Sequence, residues 1–166
     1  LFISVFAVFN GIGRPVFGWL TDRLSARTAM LLSYAQIITA AGLMLWAKNG
    51  SVGLFAAAFS IFWFNVGGWL AIAPTATNNL YGPKHYSQNY GIVFTAYGIG
   101  AVLGVSSSGV LLDTFQNYDY IFYLVIASCL MGSLLTLMLL TGNRAYKNEV
   151  TAEKHLPDLA GRNSSH

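Results

Sequence analysis

Residues 49–83 read NGSVGLFAAAFSIFWFNVGGWLAIAPTATNNLYGP, 35 consecutive positions without a charged side chain. A hydrocarbon layer about 30 Å thick is crossed by roughly 20 apolar residues of helix, so this stretch suits a membrane span. In lipid every backbone polar group has to be bonded within the segment, which leaves the helix as the form it takes. A second stretch of 28 uncharged residues separates Lys84 from Asp113. The same reading along the 166 residues draws five spans, at about 1–20, 28–47, 52–77, 88–112 and 119–141. The expected fold is an all-α transmembrane bundle over residues 1–141. Composition agrees, with 55% hydrophobic and 9% charged residues where an ordinary soluble domain carries about 25% charge.

The positions of the charges say more than their number. Loops kept in the cytoplasm carry the excess of Lys and Arg. Arg23, Arg27, Lys84, Arg144, Lys147, Lys154 and Arg162 fall on one side of the spans, and Lys48 falls alone on the other, near Asp113 and Asp119. That asymmetry places the C-terminus in the cytoplasm of a multi-pass cell-membrane protein. Residues 142–166, polar and rich in charge, read as a disordered, solvated tail. Leu1 opens directly in an apolar run, and the odd number of spans points to an N-terminal portion preceding it. The basic residues sit between spans rather than along a water-facing stripe, which excludes nucleic acid as a partner. Cys129 stands alone in an apolar run and reads as a small packing residue. No Ser-His, Cys-His or metal-ligand spacing is present, so the chain is not expected to be an enzyme, to hold a metal or to need a cofactor. Gly98-Ile-Gly100 is not a phosphate loop, since no strand precedes it. Gly100 and Gly104, four apart, are instead expected to let helix backbones approach closely.

Arg14 breaks the pattern. It stands eight residues before Asp22, roughly 12 Å into a layer whose half-thickness is about 15 Å. A cation there costs several kcal/mol and is usually kept because it faces a cavity, a partner or a substrate. Pro15 lacks an N–H, so the carbonyl of Gly11 loses its partner, and the flanking glycines are expected to loosen this turn. No Asp or Glu lies within a span away from the helix ends. A small organic anion is therefore favoured over a permanent ion pair, because the planar guanidinium fork matches a carboxylate. Tyr97 falls at the same depth by the same rise. Asn65 lies halfway along its span and either bonds across helices or faces the cavity. Asn10, one turn before Arg14, either orients the guanidinium or contacts a neighbouring helix. Phe62, Trp63, Phe64 and Trp69 read mainly as packing residues, and Ser106, Ser107 and Ser108 return hydrogen bonds to their own helix.

The segment Gly18-Trp-Leu-Thr-Asp22-Arg23-Leu-Ser-Ala-Arg27 resembles the cytoplasmic loop of the major facilitator superfamily, in which it latches neighbouring helices during transport. Asp22, Arg23 and Arg27 match, while Ser25 replaces the usual glycine. Two further stretches, Asn10-Gly-Ile-Gly-Arg14-Pro-Val-Phe-Gly-Trp19 and Asn89-Tyr-Gly-Ile-Val-Phe-Thr-Ala-Tyr97-Gly-Ile-Gly-Ala101, look like the oxalate/formate antiporter family. The resemblance runs from Leu1 to about Thr141 and implies that the five spans are the last five of twelve. It also implies that Arg14 is the arginine that binds substrate carboxylate. Oxalate-exchanging members carry a lysine where this chain has Tyr97, so one cation with a neutral hydroxyl suits one carboxylate better than two. The resulting expectation is a secondary carrier of small monocarboxylates such as formate, lactate or pyruvate, with oxalate/formate exchange as the alternative. A reading from another class is a non-transporting membrane sensor or assembly subunit in which Arg14 pairs with a partner's carboxylate.

Overall fold

The computed structural model describes residues 2–47 and 51–162. Five long α-helices follow one another: α1 Phe2–Arg23, α2 Ala26–Trp46, α3 Val52–Tyr81, α4 Tyr86–Phe115 and α5 Asp119–Arg162, with a 3-10 turn, Pro83–His85, before α4. All five include a segment long and apolar enough to cross a membrane, and that of α5 ends at Leu140. The 30 residues of α3 extend about 45 Å at 1.5 Å per residue, so this helix outruns the hydrocarbon layer or tilts within it.

The helix ends are set by local chemistry. Ser25 caps α2 by accepting the Thr28 N–H at 3.2 Å, and Ser51 caps α3 through the Leu54 N–H at 3.5 Å. At the other end of α3, Gly82 adopts φ 74° while its N–H bonds Asn78 O at 2.9 Å, a left-handed stop that a residue with a Cβ adopts only under strain. Gln116 closes α4 at φ 51° and steadies itself with a side-chain bond to Asp113 O at 3.2 Å.

The packing differs in two ways from what chain order and glycine spacing suggest. Short loops predict that successive helices are the main neighbours, yet α1 packs most extensively against α3, while α2 packs against both α3 and α5. The glycines expected to mediate close contact, Gly100 and Gly104 on α4, have open space beside them among the described residues. Close approach occurs instead at Gly13, Gly67 and Gly68: a Cβ on Gly13 would strike Phe64 O, one on Gly67 would strike Asn10 O, and one on Gly68 would strike the Phe17 ring. α5 is helical to Arg162. Its run of Ala145, Lys147, Glu149, Ala152, Glu153 and Lys154 supplies good helix formers. Lys48 and residues 163–166 lie outside the described residues.

The interior is built of small residues. Ala29, Ala40, Ala41 and Ala58 are buried, and Phe17, Ala29 and Ile72 form a core against which Leu20, Met30, Phe64 and Trp69 pack. Small side chains are what helices need in lipid, where no hydrophobic drive separates one apolar neighbour from another and association rests on close packing. Between α2 and α3 a polar cluster adds direction. Asn65, 1% exposed, accepts the Ser33 hydroxyl at 2.7 Å and donates to Gln36 Oε1 at 3.1 Å and to Ile61 O at 2.9 Å. Tyr34 ties these helices further: its ring meets Trp69 at 5.6 Å and also stands where a Cβ on Gly132 of α5 would be.

Replacing Gly67 with Ala should lower the thermal midpoint of the detergent-solubilised protein, by an overpacking cost of about 1–3 kcal/mol. Gly42→Ala, where an added Cβ meets nothing within 4 Å, should leave the midpoint unchanged or raise it. Removing the Asn65 carboxamide as Asn65→Ala should cost about 1–2 kcal/mol through its interhelical bonds. Ser33→Ala should cost less, since Asn65 keeps its other two partners.

Candidate functional site

The middle of α1 is pressed against the middle of α3. Gly13 abuts Phe64 and Gly68, and the Asn10 amide reaches Trp63 O at 3.4 Å. Successive residues are turned by about 100° around a helix, so Arg14 comes off the edge of the contact that Gly13 makes. Its side chain is exposed and has no hydrogen-bond or ion-pair partner among the described residues. The expected loosening at Pro15 does not interrupt the helix, which runs unbroken from Phe2 to Arg23 with the proline inside. Contact with α3 on either side of the proline, Gly13 on the Phe64 backbone before it and the Phe17 ring on Gly68 after it, holds that turn in place.

A groove of about 410 Å3 runs between α3 and α4. Phe62, Asn65, Val66 and Trp69 form its α3 wall; Tyr90, Phe94 and Tyr97 form its α4 wall. The α4 aromatics recur every three or four residues and so share one face. Ring centroids lie 5.5 Å apart for Tyr86 and Tyr90, 5.9 Å for Tyr90 and Phe94, and 5.7 Å for Phe94 and Tyr97. This aromatic ladder is legible in the sequence as Tyr86, Tyr90, Phe94 and Tyr97, a repeat the composition of the span conceals.

The segment Phe62–Gly68 of α3 serves as a common ruler. Gly13, beside Arg14, touches it from α1, and Tyr97 shares a groove with it from α4. Arg14 and Tyr97 stand on α1 and α4, two helices that both pack on α3. Asn65 lies in the groove wall, and its carboxamide accepts from Ser33 and donates to Gln36 and Ile61 O. Its role in the structure is to join α2 to α3. Asn10 contacts the backbone of α3, not the guanidinium. Ser33 and Gln36, three apart on α2, are polar positions that sequence reasoning missed; a mid-span polar pair facing a mid-span Asn is the signal that finds them. Phe64 packs on Phe17 at 5.4 Å, and Ser108 returns its hydroxyl to Gly104 O at 2.7 Å.

Asp22 and Arg23 occupy the exposed last turn of α1, and Arg27 lies in the first turn of α2. Ser25, the departure from the usual glycine, acts as the cap that starts α2, accepting the Thr28 N–H and pairing its hydroxyl with that of Thr28 at 2.9 Å.

The relatives found by comparison with known proteins are transporters. The chain is 28% identical over 102 residues to the MFS-type transporter YhjX of Escherichia coli (strain K12), covering 60% of this chain and 25% of that protein. It is 25% identical to Monocarboxylate transporter 14 of Mus musculus, over 81% of this chain and 26% of the relative. With the Oxalate:formate antiporter of Oxalobacter formigenes it shares 24% identity over 89% of this chain and 35% of the relative. The chain spans between a quarter and about a third of the length of these relatives. No solved structure matches it. The model of the Major Facilitator Superfamily matches residues 1–163, and with five apolar helices and no strand among the described residues the chain belongs to that superfamily.

Proposed function

We propose that the protein containing this chain is a secondary carrier that moves small monocarboxylate anions across the cell membrane by alternating access. The observation that carries this reading is Arg14, an exposed cation at the middle of α1 without a partner among the described residues. An uncompensated cation at membrane depth is costly, and an anion that pairs with it removes much of that cost. Binding the substrate carboxylate thereby favours enclosure of Arg14 by protein, the state through which an alternating-access carrier has to pass. The guanidinium accepts a carboxylate in a bidentate, planar match, and the Tyr97 hydroxyl donates to it or to an adjacent oxygen. Asn10 supports this arrangement indirectly, by fixing α1 on α3. The printed names of the relatives, monocarboxylate transporters and an oxalate:formate antiporter, support a carboxylate as cargo.

In this reading the positively charged loops and the C-terminus face the cytoplasm, and Asp22, Arg23 and Arg27 form a loop that latches helices in one state of the cycle. Exchange is favoured over proton symport, because this chain places no Asp, Glu or His within its spans away from their ends, and symport needs a titratable group in the pathway. Oxalate/formate exchange remains the alternative substrate reading, carried by the relative that this chain covers along 89% of its own length.

Uptake of labelled lactate or pyruvate into proteoliposomes holding the complete protein tests the assignment. Arg14→Gln should lower uptake about 30-fold or more, the equivalent of about 2 kcal/mol for a lost charge-paired contact, while Arg14→Lys retains part of it. Wild-type rates from Arg14→Gln would refute the carboxylate role. Tyr97→Lys, which adds a second cation, should shift the preference from formate towards oxalate. An unchanged preference would show that charge counting at this pair of positions does not set the substrate.

A further inference from the structure

A second groove, of about 480 Å3, opens between α1 and α2 over α3. Phe9 lines it from α1, Leu32, Ala35, Gln36 and Thr39 from α2, and Ile61 and Phe64 from α3. Phe9 precedes Arg14 by five residues, a turn of about 140° around α1, so this groove and the guanidinium look in different directions. Gln36 gives the groove its chemistry. It stands at the middle of α2, ten residues from Ala26 and ten from Trp46, about 15 Å of helix from either end. Its Oε1 accepts the Asn65 Nδ2–H at 3.1 Å, which uses one lone pair. The other lone pair and both N–H donors have no partner among the described residues. An unmet carboxamide is costly in hydrocarbon. Phospholipid polar groups lie at the edges of a layer about 30 Å thick, so an acyl chain fills this groove without bringing an acceptor to Gln36. A second membrane helix brings one.

We propose that this groove marks the seam of a parallel homodimer, in which the α2 helices of two copies lie side by side and their Gln36 carboxamides pair. Depth selects a second copy, because a twofold axis along the membrane normal sets every residue level with its own counterpart. A carboxamide is self-complementary: each Nε2 donates to the open lone pair of the other Oε1, and the bond from Asn65 is kept. The surface around Gln36 fits such a partner. The exposed residues of α2 are Leu32, Ala35, Thr39, Gly42 and Trp46, at successive intervals of 3, 4, 3 and 4, the spacing of a seam between two helices. Ala35 and Thr39 leave room for close approach beside Gln36, and the Thr39 hydroxyl already donates to Ala35 O at 2.8 Å. The choice of occupant rests on the carrier reading, in which the anion site lies between this chain and the rest of the protein, on the Arg14 side and away from the groove.

The test is subunit counting by single-molecule photobleaching of the complete, fluorescently labelled protein in liposomes over a range of protein-to-lipid ratios, with uptake of labelled monocarboxylates measured in the same liposomes. The wild type should pass from one subunit to two as the ratio rises. Gln36→Leu should need a ratio about tenfold higher, the equivalent of two interhelical bonds in lipid. Thr39→Trp, which blocks the approach and leaves the Gln36–Asn65 bond in place, should stay a single subunit throughout. Either variant decides the matter where the other does not fold. A wild type that stays a single subunit while uptake is intact overturns the dimer and leaves the carrier reading standing. Pairs that form equally well in both variants overturn this seam, since another face then joins the copies. Pairs that depend on Gln36, in liposomes that take up no monocarboxylate, support the seam and overturn the carrier reading instead.

Discussion

At Gly13, Gly67 and Gly68 the backbones of α1 and α3 come together with no Cβ between them. In lipid this contact gains nothing from expelling water; it gains from many close atom pairs, each worth about 0.1–0.2 kcal/mol. Such a contact has one register, because a shift of one residue would bring a side chain against backbone. That register sets Asn10 under Trp63 and Gly13 under Phe64 and Gly68, and with them the depth of Arg14. It also keeps a proline-containing helix continuous at the turn where a free helix would bend.

Two mid-membrane polar residues meet the same desolvation cost in opposite ways. Asn65 is buried and bonded through both ends of its amide, so it lowers the energy of one helix pair. Arg14 is exposed and has no partner among the described residues. A fully bonded buried group stabilises a fold, while a cation held out from a rigid contact is where recognition of an anion begins. Sequence alone leaves the two alternatives for Asn65 open, because its partners Ser33 and Gln36 sit 32 and 29 residues away on a helix whose facing side is set by tertiary packing.

Five helices and the prominence of Arg14 are legible in the sequence because each rests on a local signal: apolar length and charge placement. What is not legible depends on pairing. Glycine spacing on α4 is as suggestive as that on α3, yet only Gly67 and Gly68 find a glycine-bearing neighbour, and the choice is made by which helices meet. Likewise the short α1–α2 connection, only Leu24 and Ser25 between the helices, limits how far apart two ends can be and does not decide which faces touch.

The bundle is unevenly tight, and the two residues of the proposed site fall on either side of that divide. Arg14 belongs to α1, fixed by backbone contact to α3, which in turn is bonded to α2 through Asn65. Tyr97 belongs to α4, where no residue is buried. A ligand shifts a conformational equilibrium only as far as its contacts differ between the two states. A carboxylate held by Arg14 alone would make the same contacts wherever α4 stood. A carboxylate held by Arg14 and Tyr97 together makes its full set only when α4 is drawn up to the α1–α3 pair, so in the proposed carrier the neutral hydroxyl matters less for affinity than for coupling occupancy to movement of the loosely packed helix.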